Sequence, residues 1–176
     1  PSYAKSFGWA QRSASGYNSA MEYTIKNKAG LAKAAREVLG MKPNIIALEG
    51  PLGAGKTTFT MALAGQLGIN AEITSPTFVL HHRHRIMNPV RQAQGKHELG
   101  IMYLDHVDCW RMEEFGELLQ IGLLKMIGEK SLVVIEWADR FKNQIAKIKD
   151  QKIVWIKIEY CDKKSERRIC YEDIGN

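Results

Sequence analysis

Gly50-Pro51-Leu52-Gly53-Ala54-Gly55-Lys56-Thr57-Thr58 fits the pattern G-x-x-x-x-G-K-S/T, a glycine loop that cradles phosphate. Its flanks decide the fold around it. Asn44-Ile45-Ile46-Ala47-Leu48 reads as a short buried strand entering the loop. Phe59, Ala62, Leu63 and Leu67 recur at helical spacing after it, and Gly68 is a natural stop. Strand, glycine loop and helix in that order separate a phosphate site from an ordinary glycine turn. The glycines let backbone N–H groups around Gly53, Ala54 and Gly55 converge on phosphate oxygens with no Cβ in the way. The helix starts at the loop, so its positive end faces the same anion. Lys56 is spaced to reach the β- and γ-phosphates, and the Thr57 hydroxyl to ligate Mg²⁺. Thr58, one residue deeper, is placed to bond the α-phosphate. Pro51 has no N–H and sits early in the loop, where a donor is least needed.

The bulk numbers bound what surrounds this loop. A chain of 176 residues, 45% hydrophobic and 25% charged, has the make-up of one globular domain. At this size roughly 70% of the unfolded surface is buried, so neither a disulfide nor a structural metal is required. No apolar run approaches the ~20 residues of a membrane-spanning helix, so no membrane partner is expected. Three cysteines, an odd number at no metal-like spacing, point to reduced thiols and a cytoplasmic setting. Cys161 and Cys170 flank a turn but do not fall opposite each other across it. The net charge of +6 is uneven. Residues 101–139 carry three basic and eight acidic side chains, 81–100 carry four and one, and 140–176 carry ten and six. An acidic middle suits a metal-nucleotide site. Basic flanks suit a polyanion such as RNA, or a solvated surface.

Residues 1–20 hold five serines and no acidic side chain, and they lack the apolar core of a secretory signal. They read as a disordered or added N-terminal segment, with Met21 opening a single domain over 21–176. Tyr23-Thr24-Ile25 is a candidate strand, and Asn27 a cap for a helix through Leu39 that Gly40 stops. Beyond the loop helix, a β-like run from Phe78 to Ile86 and a second strand from about Glu98 to Val107 flank the polar loop at Asn88-Pro89. The stretch 81–100 thus reads as a basic hairpin or loop insert. Helices are expected over Glu113–Gln120, Leu123–Gly128 and Phe141–Ile148, with an apolar strand over Ser131–Trp137. Lys152–Tyr160 alternates, and Arg167–Ile174 returns as a hairpin. The alternation of strands and helices predicts an α/β fold of the P-loop NTPase class: a mostly parallel central sheet, added antiparallel strands, and helices on both faces.

Hydrolysis needs an acidic residue at the end of a second apolar strand, to hold Mg²⁺ or its waters. Leu132-Val133-Val134-Ile135-Glu136 supplies it, with Glu136 where a buried parallel strand emerges at the ligand crevice and Trp137 next to it. Asp105-His106-Val107-Asp108 supplies a second. Alternation sets Asp108 on one face with His106. Asp108 is placed to hold a metal-bound water or orient the attacking one, and Arg111 to offset developing negative charge. Hydroxyls in Thr74-Ser75-Pro76-Thr77 are candidates for sensing a γ-phosphate, although Ser-Pro is also a plain turn signal. His81, His82, His84 and His97 have no Cys or acidic partner at ligand spacing, and Arg83 and Arg85 interleave with them. They read as a solvated basic ribbon rather than a metal site.

Together these motifs resemble the TsaE (YjeE) family, the small ATPase of bacterial tRNA threonylcarbamoyladenosine synthesis. Leu52-Gly53-Ala54-Gly55-Lys56-Thr57-Thr58-Phe59 resembles its phosphate loop, and Ser75-Pro76-Thr77-Phe78 its switch-like segment. His106-Val107-Asp108-Cys109-Trp110-Arg111 is similar to its histidine-x-aspartate-x-tyrosine-arginine motif, with Trp110 where the family has tyrosine. Glu113-Glu114 with Ile121-Gly122-Leu123, and Val133-Val134-Ile135-Glu136-Trp137, follow in family order. The resemblance implies Mg²⁺-ATP binding, with Thr57 and Glu136 on the metal, Lys56 on the phosphates, Thr77 at the nucleotide and Asp108 supporting hydrolysis. It implies adenine contacts from near Asn27 and from the C-terminal hairpin around Ser165. It implies partner proteins TsaD and TsaB, with tRNA near that complex, and a role for ATP hydrolysis in resetting the complex as it modifies the adenosine beside the anticodon.

Two other readings are compatible with the residues. A small-molecule P-loop kinase would use a basic lid carrying Arg83, Arg85 and Arg91, with Asp139-Arg140 facing the acceptor. A nucleotide-gated RNA-binding module would bind without turnover. A GTPase is disfavoured, because no Asn-Lys-x-Asp signature appears.

Overall fold

Two runs, Ile45–Glu49 and Ser131–Glu136, have almost no polar face to show to water, so they occupy the centre of a sheet covered on both sides. The computed structural model describes residues 21–87, 100–163 and 165–174. Expectations for residues 1–20, Asn88-Pro89, Arg91, His97 and Glu98 fall outside that range. In chain order the elements are β1 (Met21–Ile25), α1 (Lys28–Gly40), β2 (Ile45–Glu49), α2 (Lys56–Gln66), β3 (His81–Arg85), β4 (Tyr103–Asp108), α3 (Phe115–Gln120), α4 (Leu123–Gly128), β5 (Ser131–Glu136), α5 (Lys142–Ile145), β6 (Ile153–Tyr160) and β7 (Arg167–Asp173).

The strands join in the order β1-β7-β6-β2-β5-β4-β3. The four central strands, β6, β2, β5 and β4, run parallel. Antiparallel strands close both sides: β7 and β1 beyond β6, and β3 beyond β4. This is the expected α/β architecture with antiparallel additions. Alternation along each strand divides the core into two layers. Ile46, Leu48, Leu104, Leu132, Val134 and Ile156 pack under α1 and α2. Ile45, Ala47, Val107, Val133, Ile135 and Trp155 pack against residues of α3, α4 and α5. Each fully buried Leu, Ile or Phe contributes about 1.5–3 kcal/mol, so the two layers together set the sheet in place.

Local signals act as expected. The Asn27 side chain accepts from Gly30 N at 2.9 Å and caps α1, which ends at Gly40. Glu114 and Glu117 form a reciprocal capping box that starts α3. Three boundaries differ from the expected ones. The run from Phe78 to Ile86 becomes strand only at His81, because Val79 N and Leu80 N both bond Pro76 O and Leu80 takes φ 66°. The second strand begins at Tyr103. The expected helix over Phe141–Ile148 splits into a 3-10 turn at Ala138–Phe141 and the single turn α5. Within the basic stretch, His81–Arg85 is the edge strand β3 and so belongs to the sheet.

That edge is pinned by a buried charge. Asp105, in β4, is fully buried on the face turned away from α2. It accepts hydrogen bonds from Arg83 Nε at 2.8 Å and Nη2 at 3.0 Å, from His81 Nε2 at 2.6 Å, and from the Ser131 hydroxyl. Arg83 reaches on to Glu129 at 2.6 Å. Burial by itself would raise the Asp105 pKa, but the bonds from His81, Arg83 and Ser131 outweigh it and hold the carboxyl well below the usual carboxylate range. A depressed folded-state pKa adds stability above the unfolded pKa of about 3.9 and loses it as the pH falls through the folded value. Asp105→Asn is therefore expected to lower stability by about 2 kcal/mol at neutral pH. It should also flatten the loss of stability below about pH 4. Denaturant melts from pH 7 to pH 2 check both; a variant as stable as the parent at pH 7 would contradict the anchoring role.

Candidate functional site

Three parallel strands end at one level. Leu48 of β2 pairs with Glu136 of β5, and Glu136 pairs with Asp108 of β4. Residues 50–55 leave β2 at that same edge and turn into α2. The chain thus sets the glycine loop beside two strand-end carboxylates from distant parts of the sequence, outside the carboxyl ends of a parallel sheet.

Gly50, Gly53 and Gly55 take φ of 149°, 73° and 108°, which side chains with a Cβ rarely adopt. Packing imposes a second demand at two of them. A Cβ on Gly50 would lie 2.3 Å from the Ile158 carbonyl oxygen, and one on Gly53 would lie 2.9 Å from the Tyr160 hydroxyl. The β6–β7 hairpin therefore forms one wall of the loop. Tyr160 donates to Leu52 O at 2.6 Å, Arg167 Nε donates to Ala54 O at 3.2 Å, and the Arg167 guanidinium lies 4.5 Å over the Tyr160 ring.

Lys56 opens α2 and is 5% exposed. Its ammonium donates to Gly50 O at 2.6 Å and Pro51 O at 3.0 Å, and lies 3.4 Å from the centre of the Trp137 ring. Burial lowers its pKa, opposed by the charges of Glu136, Asp139 and Asp108. Trp137 reaches this position with φ 57°, and its ring meets that of Trp110 at 4.3 Å, so the two indoles form a wall beside the lysine. Thr58, also on α2, is exposed next to Thr57.

Thr57 donates to Glu136 Oε2 at 3.1 Å, and Glu136 Oε1 pairs with His106 Nε2 at 2.7 Å. Asp108 Oδ2 accepts from the hydroxyls of Ser75 at 2.9 Å and of Thr77, while Asp108 Oδ1 accepts from Trp110 N at 2.8 Å. The switch-like segment is thereby tied to the end of β4. A hydroxyl and a carboxylate side by side next to a phosphate loop suit Mg²⁺, which takes hard oxygen donors, one or two from protein and the rest from phosphate and water. Among the described residues, no group of three or more His, Cys, Asp or Glu is arranged to hold a metal ion. His81 instead bonds Asp105, and His82 and His84 meet edge to face at 6.0 Å.

The structure gathers Gly53, Ala54, Gly55, Lys56, Thr57, Thr58 and Glu136 at one place, with Thr77 attached through Asp108. Asn27 uses its side-chain oxygen to cap α1, two residues past Ile25, whose strand partner is Arg167. Ser165 lies in the turn between β6 and β7, but it is Tyr160 and Arg167 of that hairpin that meet the loop. Arg111 lies with its guanidinium 5.3 Å over the exposed Phe78 ring, beside Thr77 of the switch-like segment. Reading by motif gave no role to Tyr160 or Arg167. The phase of β4 was legible, but the His106–Glu136 bond was not. A groove of about 460 Å³ lined by Phe115, Leu119, Leu124 and Ile148 lies on the other layer and includes none of these residues.

Glycine replacements separate the two demands. Gly50→Ala should destabilise by about 1–3 kcal/mol through backbone strain and the Ile158 clash. Gly65→Ala, inside α2 with nothing within 4 Å of a new Cβ, should stabilise by about 0.5–1 kcal/mol. Paired thermal melts check this; shifts of the same sign would contradict the close approach of the loop to β6.

Comparison with known proteins adds the family. A family model described as "Threonylcarbamoyl adenosine biosynthesis protein TsaE" matches residues 21–169. The protein of Bacillus subtilis named tRNA threonylcarbamoyladenosine biosynthesis protein TsaE is 32% identical over 133 residues, covering 76% of this chain and 72% of its own. A relative of the same name in Treponema pallidum is 32% identical over 102 residues, 58% of this chain and 65% of its own, just under two thirds. Another in Aquifex aeolicus is 31% identical over 125 residues, 69% of this chain and 79% of its own. The crystal structure of YdiB from Bacillus subtilis superposes with a TM-score of 0.64 at 25% identity, covering 92% of this chain and 90% of that one. With the match running from β1 into β7 and enclosing the loop, the switch-like segment and both strand-end carboxylates, this chain belongs to the TsaE family.

Proposed function

We propose that this protein is a Mg²⁺-dependent ATP hydrolase that serves tRNA threonylcarbamoyladenosine formation by acting on a complex of TsaD and TsaB. The observation that carries the reading is the Thr57–Glu136 hydrogen bond beside Lys56. It joins a phosphate loop to a strand-end carboxylate, the pairing that turns a nucleotide binder into a hydrolase. Loop N–H groups and Lys56 bind the phosphates, Lys56 exchanging its loop carbonyls for phosphate oxygens. Thr57 and Glu136 would hold Mg²⁺, which supplies charge neutralisation on the β- and γ-phosphates. Asp108 holds the Ser75 and Thr77 hydroxyls at the end of β4, where they face the terminal phosphate, and it helps to order the attacking water. Asn27 and the hairpin around Ser165 border the base.

The names of the relatives point to the tRNA modification, and the family resemblance points to TsaD and TsaB. Hydrolysis then resets the complex between cycles, with tRNA nearby. No helix among the described residues is long and apolar enough to cross a membrane. A role in tRNA modification supports a cytoplasmic setting. Two residues of the kinase alternative are engaged elsewhere. Arg83 is held by Asp105 and Glu129, and Arg140 donates to Met112 O at 2.7 Å.

A phosphate-release assay with ATP, with and without TsaB and TsaD, tests the reading. Turnover should be slow alone and rise with both partners, since missing positive charge at the transition state slows such enzymes by about 10³–10⁵. Phosphate transferred to a metabolite, or tight ATP and tRNA binding without turnover in the complex, would overturn it. Lys56→Ala should abolish ATP binding. Glu136→Ala should keep nucleotide binding and lose about 100-fold or more of Mg²⁺-dependent turnover, and Asp108→Ala should lower kcat more than it raises KM.

A further inference from the structure

His106 sits in the middle of β4 with no exposed surface, on the face shared with Asp108 and turned toward α2. Its strand partner on β5 is Val134, so Glu136 is its diagonal neighbour, two residues further along. Diagonal neighbours are close enough for long side chains to meet. Here they do, with His106 Nε2 2.7 Å from Glu136 Oε1. The other carboxylate oxygen accepts from Thr57 at 3.1 Å. Glu136 is thus gripped from two elements, one oxygen by β4 and one by α2. Its exposure is 2%, so water does not compete for either oxygen.

We infer that His106 is a positioning residue. Its Nε2–H fixes one oxygen of Glu136 so that the other stays aimed at Thr57 and the metal position beside it. The inference rests on the metal-assisted reading above. A glutamate has three side-chain torsions and would otherwise swing among several rotamers. The imidazole has only two, and burial fixes both. A carboxylate oxygen can only accept, so Nε2–H is the donor of this bond. Among the described residues Nδ1 has no partner. The bond to Glu136 is thus the one side-chain hydrogen bond His106 makes among the described residues. Partners that orient a metal-binding carboxylate typically change metal affinity by about 10–100-fold when removed.

Two polar substitutions separate reach from mere filling of the core. The amide of His106→Gln ends near the Nε2 position and still reaches Glu136, whereas that of His106→Asn ends near Nδ1 and falls short. Mn²⁺ serves as the probe, its binding to the ADP-bound protein read by electron paramagnetic resonance, with thermal melts and metal-free ADP affinity alongside. His106→Asn should weaken Mn²⁺ binding about tenfold or more, while His106→Gln stays within about threefold of the parent. Metal-free ADP affinity should not change in either. Parental Mn²⁺ affinity in His106→Asn, or an equal loss in both variants, overturns the inference and leaves the ATPase reading intact. A parent protein that binds ADP but no Mn²⁺ overturns both. Should His106→Asn fail to fold, long-range proton–nitrogen spectra of the unmodified protein decide: a proton on Nε2 supports the inference, and an Nε2 without one overturns it.

Discussion

Everything at the site depends on three parallel strands ending at the same level. Leu48, Glu136 and Asp108 are lateral neighbours because β2, β5 and β4 pair in one register, and that register is fixed by the apolar residues on both faces of the sheet. A slip by one residue would exchange the two faces of a strand and turn its carboxylate toward α3 and α4. The sheet thus holds two nearly buried acids, 1% and 2% exposed, within reach of a lysine that is 5% exposed. Such burial is tolerable only because each oxygen has a partner. Asp108 takes Ser75, Thr77 and the Trp110 N–H, while Glu136 takes Thr57 and His106.

Those partners come from separate segments, and this links the loop to the rest of the molecule. Thr57 lies on α2, Ser75 and Thr77 on the segment after it, His106 on β4, and Trp110 just past β4. The β6–β7 hairpin holds the other side of the loop through Tyr160 and Arg167. The Thr77 bond to Asp108 ties this network to the segment that carries the exposed Phe78 and Val79.

On the opposite layer a different charge network serves stability. Asp105 binds β3 to β4 and β5 through Arg83, His81 and Ser131, while the next residue, His106, points to the other face. Alternation along β4 therefore gives its two acids different roles. Asp105 anchors the edge strand, and Asp108 organises the site.

The phosphate loop, its flanking strand and helix, the α/β class and the strand-end glutamate are all legible in the sequence, because each rests on local chemistry: glycine conformations, helix and strand periods, and buried runs. The cap at Asn27 and the helix at Leu123–Gly128 are local as well. Strand neighbours are not local. Nothing in the spacing of Thr57, His106 and Glu136 tells that one carboxylate serves both partners. Nor does the Tyr160–Arg167 stretch announce that it will lean on Leu52 and Ala54. Likewise His81–Arg85 looks like a solvated basic ribbon until the register opposes Arg83 to Asp105. The sequence by itself determined which groups are available and the period on which each sits. The tertiary structure decided which groups meet, because those meetings depend on sheet order and register, and only the packing of both layers at once selects them.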